Sequence, residues 1–346
     1  MTTAALKVIQ PGLSTTVQDL GRTGRQRFGI PVSGAADPIA LRAANIVVGN
    51  AEATAGLEIV LAGPTLEVAA DSVRVAIAGG NAEIEVHRAD GTDPIRVRSL
   101  QSVRLARGDR VKAGASGGSV VAYLAIEGGL DIPPFQSSLS TYVRGGFGGL
   151  EGRALRAGDR LPLRQASAPE RAEVRLQGLE LMPSQRIRIV LGPQDDYFTA
   201  EAIRVLTGSP YTVSREADRM GLRLDGPALK HAKGYNIVSD GIAPGAIQVP
   251  GNGQPIILLA DRQATGGYPK IATVASVDLP ALGRAGPGTV LRFEAIGVEE
   301  AQALRRAQEA EMAGLAARLS PVEAPSVNLA RLFSENLISG VADAHG

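Results

Sequence analysis

Short runs of Val, Ile and Leu recur along the whole chain, and glycine or proline ends nearly every one before it is long enough for a helix. With 42 glycines and 21 prolines among 346 residues, this punctuation predicts a mainly β chain of short strands joined by turns. Strands are expected at Arg74 to Ala78, Ile95 to Arg98, Val120 to Ile126, Arg186 to Leu191, Ile256 to Leu259 and Thr289 to Phe293. In the fourth, arginine and isoleucine alternate, which puts one sheet face in water and the other in a core.

Helices are few. Asp37 is a capping residue, Pro38 suits the first helical position, Ile39 to Val48 supplies an apolar stripe and Gly49 ends it. A second helix is expected from about Thr199 to Leu206, closed by Gly208. From Val298 to about Leu319 the composition turns to Glu, Ala, Arg and Leu, an amphipathic helix, with a further helical stretch near Leu329 to Ile338. This appendage either packs on the β core or receives a partner. A polar stretch near Arg164 to Leu176 suits a boundary, giving domains at 1–165 and 166–297 and a helical segment at 298–346.

Several function classes fall away on composition. Lys plus Arg (36) nearly balances Asp plus Glu (35), and aromatic residues are 3%, so neither a basic field nor a stacking platform for nucleic acid is present. Without cysteine there is no disulfide, thiolate metal site or thiol nucleophile, which fits a reducing compartment. Met1 to Pro11 has no apolar run of signal-peptide length, and no stretch has the composition of a spanning helix, so a cytoplasmic location is expected, away from membranes. The three histidines, His87, His231 and His345, share no metal-ligand spacing, and no metal site is expected. Phosphate-binding glycine loops of the Gly-x-x-x-x-Gly-Lys-Ser/Thr or Gly-x-Gly-x-x-Gly kind are missing.

What remains is a set of four clusters of glycine with polar side chains. The first runs from Gln18 through Arg22, Arg27 and Ser33 to Asp37; its arginines can fork onto a carboxylate or carbonyl, or staple a turn that leads into a capped helix. The second, Arg144 to Arg153, holds a run of glycines that reads either as a nest of N–H groups for an anion or as a connecting loop. The third, Ser239 to Pro250, contributes Asp240 and Gln248. The fourth follows the strand at Ile256 with Asp261, Arg262, Gln263, Thr265, Gly266, Gly267, Tyr268 and Lys270. Amide and guanidinium groups there suit planar ureido, amide or carboxylate ligands. Asp240, Asp261 and Arg262 are the catalytic candidates; Arg22, Arg27, Ser33, Gln248, Arg262, Gln263, Thr265, Gly266, Gly267 and Tyr268 are the binding candidates.

These segments resemble the signatures of the carboxyltransferase-type family that includes the C-type subunit of bacterial 5-oxoprolinase, the Kip antagonist and the carboxyltransferase region of urea amidolyase. The resemblance is carried by Gln18-Asp-x-Gly-Arg22, Gly29-x-Pro-x-Ser-Gly-Ala-x-Asp37, Gly49-Asn50, Leu57-Glu58, Gly145-Gly-Phe-Gly-Gly149, Asp218-Arg-Met-Gly221, Gln248-Val-Pro250 and Asp261-Arg-Gln263 through Gly266-Gly-Tyr-Pro269. It departs at Ala264, where the family commonly has threonine, at Ala36, where methionine is common, and at Arg284, near a usual glutamine. The resemblance implies two cyclophilin-like β-barrel domains with a ligand cleft near their junction, where Arg22 and Arg262 converge. It further implies a subunit of an ATP-dependent 5-oxoprolinase that opens the lactam to glutamate, with a B-type and an A-type subunit as partners and ATP with Mg at or shared with the partner. The same family implies two alternatives: a carboxyltransferase component using biotin carried by another chain, and a regulatory antagonist that sequesters a kinase inhibitor.

Overall fold

The computed structural model describes residues 4–322, so the expected helix near Leu329 to Ile338 lies outside the described residues. In the first half, two sheets face each other. One has six strands in the spatial order Arg160–Pro162, Ala5–Gln10, Thr65–Val68, Arg110–Ala113, Glu83–His87 and Ile95–Arg98; the other has five, in the order Ser14–Gln18, Gly56–Val60, Val121–Ile126, Ser72–Ala78 and Ser102–Ala106. Both sheets contribute to one core, in which Leu6, Val8, Leu57, Leu66, Ile84 and Leu124 are wholly buried.

The second face of the five-stranded sheet is covered by helix α1, Pro38–Val48. That double cover explains why Ser72–Ala78 and Val121–Ile126 are buried at every position instead of alternating. The helix begins where expected, with the Asp37 carboxylate accepting from the N–H groups of Ile39 and Ala40, and it ends on Gly49 at φ 79°. Its own Leu41 and Val47 are fully buried, each contributing roughly 1.5–3 kcal/mol of transfer free energy.

The second half is a closed barrel of seven strands: Arg186–Leu191, Lys270–Val274, Ala246–Gln248, Ile256–Leu258, Gly221–Asp225, Pro210–Val213 and Val290–Ala295. Closure leaves this sheet no free edge. The alternation expected in Arg186–Leu191 is present: Ile187 and Ile189 enter the core, while Arg186 pairs with Glu294 and Arg188 with Asp278. Helix α2, Ala200–Gly208, is capped by Thr199, whose hydroxyl accepts from the N–H of Ala202. A short helix α3, Leu279–Arg284, precedes the last barrel strand.

Between the halves, the polar stretch around residue 170 is pinned rather than loose. Buried Arg74 donates to the carboxylates of Glu127 and Glu173 and to the carbonyls of Pro169 and Arg171. The amphipathic segment forms helix α4, Val298–Gly314, and it packs: Met312 and Leu315 are buried in the core that holds α1. Beyond it Leu319–Pro321 pairs with Val174–Leu176. Helix α4 touches both halves, through Glu309 to Arg42 at 3.0 Å and through Gln308 Nε2 to the carbonyl of Val277 at 3.1 Å.

Candidate functional site at the seam between the halves

The segment that carries Arg22 and Ser33 belongs to the first half, and the segment that carries Arg262 belongs to the second. A backbone hydrogen bond from the Ser33 N–H to the carbonyl of Ala260, 3.1 Å long, joins them directly. Around this contact runs a chain of buried and half-buried charged groups. Arg219 donates through Nε to Asp261 at 2.8 Å, through Nη2 to the Gly34 carbonyl at 2.6 Å, and through Nη1 to Glu58. Glu58 also accepts from the Tyr123 hydroxyl at 2.6 Å and the Ala36 N–H at 2.9 Å. The Tyr123 oxygen in turn accepts from the Asp37 N–H, and the Asp37 carboxylate accepts from Arg284 Nε at 2.6 Å. Asp37, Tyr123 and Glu58 come from the first half; Arg219, Asp261 and Arg284 come from the second.

Electrostatics explains how this chain is tolerated. Burial works against the Arg219 charge, but Glu58 and Asp261 outweigh it and leave its pKa raised. Burial first, and then the charges of Glu58 and Asp37, push the Tyr123 phenol well above its ordinary range, so it acts as a neutral donor.

A cleft of about 490 Å³ opens beside the seam, lined by Arg144 from the glycine-rich loop of the first half and by Asp218, Met220, Gln248, Gln263 and Tyr268 from the second. Arg144 Nη2 reaches Asp218 at 2.8 Å across it. Gln248 is 3% exposed, and its Nε2 donates to the Tyr268 carbonyl at 3.4 Å. The close approach of Gln248 requires glycine at residue 266, where a Cβ would come within 2.7 Å of Gln248 Nε2. Thr265–Gly266 pairs with Asp240–Gly241 in a two-stranded ribbon, and Thr265, Gln263 and Tyr268 are exposed.

The remaining nominated residues sit elsewhere. Arg22 and Arg262 are 1% and 3% exposed, and neither lines the cleft. Arg262 donates from Nε to the Ile242 carbonyl at 3.1 Å and from Nη1 to the Leu259 carbonyl at 3.2 Å; burial lowers its pKa. Arg22 donates through Nη2 to the Ser140 carbonyl, and burial likewise lowers its pKa despite the charges of Asp19 and Asp261. Arg27 is exposed and stacks over Phe28. Gly267 donates no side chain, but its carbonyl accepts from the Ile237 N–H at 2.8 Å.

Both carboxylates nominated as bases are held by cations. Asp261 accepts from Arg219 on both oxygens. Asp240 accepts from Lys270 Nζ at 2.9 Å, and that bond, followed by the Gly241 N–H, holds its pKa below the usual carboxylate range. The Asp240 carboxylate, stabilised in this way, is a weakened proton acceptor. The glycine-rich loop differs from the anion nest considered above: the N–H groups of Gly145 and Gly146 point to the Tyr142 carbonyl, and Arg153 is occupied by Glu151 and Asp159. Among the described residues no three His, Cys, Asp or Glu side chains gather where they could hold a metal ion, and no helix is long and apolar enough to cross a membrane.

Sequence reasoning did not nominate Glu58, Tyr123, Arg219 or Arg284 as site residues, and it placed Lys270 in the fourth cluster without giving it a role. Glu58 and Arg219 lie inside the signature segments, but pairing them needs the fold. Lys270, 2% exposed, carried one readable signal, a lysine opening a strand whose following Ile271, Ala272 and Val274 are all buried.

Residues 28–295 match the sequence profile of the carboxyltransferase domain, subdomain A and B. The chain is 38% identical over 315 residues to the C-type subunit of the Escherichia coli 5-oxoprolinase, a match that spans 91% of this chain and 98% of that one. It is 31% identical over 332 residues to the urea amidolyase of Saccharomyces cerevisiae, covering 90% of this chain but 18% of the yeast protein. Among solved structures, the Kluyveromyces lactis urea carboxylase superposes with a TM-score of 0.81 at 29% identity, over 91% of this chain and 29% of that one.

Proposed function

Because the chain belongs to the carboxyltransferase domain family, subdomains A and B, we propose that it is the C-type subunit of an ATP-dependent 5-oxoprolinase, active with a B-type and an A-type partner. The observation that carries this reading is the end-to-end match, 98% of the length of a bacterial 5-oxoprolinase subunit, against 18% of a urea amidolyase. In this reading the cleft at the seam receives the lactam. Gln248 and Gln263 present amide groups, which donate and accept, to a planar HN–C=O unit. Tyr268 adds a hydroxyl, and Arg262 behind them contributes a buried positive charge that steadies negative charge developing on the lactam oxygen.

The nucleotide belongs at or beside the partner. Arg144 and Arg223, the arginines that line the cleft, are engaged by Asp218 and Glu216, and the sequence has no phosphate-binding glycine loop. These residues do not fit a triphosphate with its Mg, and no step is assigned to ATP in this chain.

The complex reconstituted from all three subunits is expected to release glutamate from 5-oxoproline only when ATP is supplied. Turnover of urea that instead demands a biotinylated partner and bicarbonate contradicts the proposal and favours the carboxyltransferase alternative.

A further inference from the structure

The Arg22 guanidinium is the one nominated cation whose N–H groups are buried without partners. Nη2 rests on the Ser140 carbonyl, while Nε and Nη1 are buried and have no hydrogen-bond partner. The two nearby acids are already spent. The Asp19 carboxylate accepts from Ser138 Oγ, Ser140 Oγ and the N–H groups of Gly21 and Leu139, and Asp261 is taken by Arg219. Ser33, one residue past the carbonyl that the Arg22 N–H reaches, also has a buried hydroxyl with no partner. A buried charge with unmet N–H groups is costly and is retained only where something pairs it.

Two aromatic rings lie over this group. The guanidinium carbon lies 5.1 Å from the Phe147 ring centroid and 5.8 Å from that of Phe135. Those rings stack on each other at 4.6 Å, and Phe135 is 37% exposed. Phe147 sits in the middle of the glycine-rich loop. At Gly148 a Cβ would come within 2.7 Å of Arg22 Nη2, so the loop backbone lies directly against the arginine. The same loop borders the cleft through Arg144.

We propose that Arg22, beneath the Phe135–Phe147 cover, is a carboxylate-binding subsite that makes this protein prefer small organic carboxylates over neutral amides. Nη2 carries two N–H groups, and Ser140 takes one of them. The other, beside the unpartnered Nε or Nη1, completes a two-donor edge of the guanidinium fork, the geometry that meets both oxygens of a carboxylate. The proposal deepens the 5-oxoprolinase reading and rests on it for the identity of the substrate, since 5-oxoproline carries a carboxylate and urea does not.

The test measures binding to the full chain by calorimetry, with two matched pairs: 5-oxoproline against its neutral carboxamide, and cyclopentanecarboxylate against cyclopentanecarboxamide. Wild type is expected to prefer the acid of each pair by at least about tenfold, and Arg22→Met to lose that preference while keeping its melting temperature. Should Arg22→Met not fold, Arg22→Lys retains the charge but not the fork, and its preference is expected to shrink without vanishing. Equal affinity within each pair, no binding of either acid, or a preference that survives in Arg22→Met or is undiminished in Arg22→Lys, overturns the subsite. The two readings separate cleanly. A cyclopentane preference that depends on Arg22, in a complex that does not open 5-oxoproline, sinks the 5-oxoprolinase reading alone; normal turnover and KM in an Arg22→Met complex sink the subsite alone.

Discussion

Two kinds of arginine meet at the seam. Arg219 and Arg284 are paired with carboxylates contributed by the other half, Glu58 and Asp37. Arg22 and Arg262 are at least as deeply buried, yet no carboxylate lies within ion-pair distance of either among the described residues; they rest on carbonyls. The first kind neutralises a charge that folding buries, and its geometry fixes how the halves meet. The second leaves positive charge stored in the protein beside the cleft. On the proposed function, chemistry divides from architecture by the partner each arginine has, rather than by burial.

The sharpest way to break this contrast is to remove Arg219. Arg219→Ala strands the buried carboxylates of Glu58 and Asp261, and the loss of a buried partner costs about 3 kcal/mol, at the lower end of the usual range because the Arg219 side chain is 20% exposed. Urea denaturation reads this as a lower midpoint; an unchanged midpoint removes Arg219 from the lock. Asp37→Asn comes next. It keeps an oxygen for the N–H groups of Ile39 and Ala40 but discharges the bond to Arg284, so a loss of roughly 1.5–3 kcal/mol is expected in the same assay.

Arg22→Met should fall on the other side of the comparison. It deletes an unpaired buried charge in favour of an apolar side chain, so stability is expected to change by less than about 1 kcal/mol, or to rise; a loss as large as that of Arg219→Ala would make the two arginines alike. The smallest effect belongs to Arg144→Ala. Its pair with Asp218 is exposed on both sides, so thermal unfolding should register no more than about 1 kcal/mol, fading further with salt.

The alternation of Arg186 to Leu191 and the cap, proline and closing glycine of helix α1 were legible because each is a local pattern, set by strand and helix periods. The polar clusters were legible as chemistry but not as geometry. Asp37 reads locally as a cap, and nothing near it announces Arg284, which is 247 residues away. In the same way Arg262 reads as a side chain offered to a crevice, whereas its neighbours Ile242 and Leu259 draw it inward. Pairing across the seam depends on which strands end beside each other, and that is a property of the closed barrel and the facing sheets together.

Arg262 is the residue on which the proposed division turns. In the reconstituted complex, Arg262→Met is expected to fold with a melting temperature within a few degrees of wild type while ATP-dependent glutamate release from 5-oxoproline falls at least about a hundredfold, as when a charge-stabilising donor is lost. Full activity in a folded Arg262→Met complex would show that this buried, acid-free arginine serves no ligand, and would contradict the division on which the account rests.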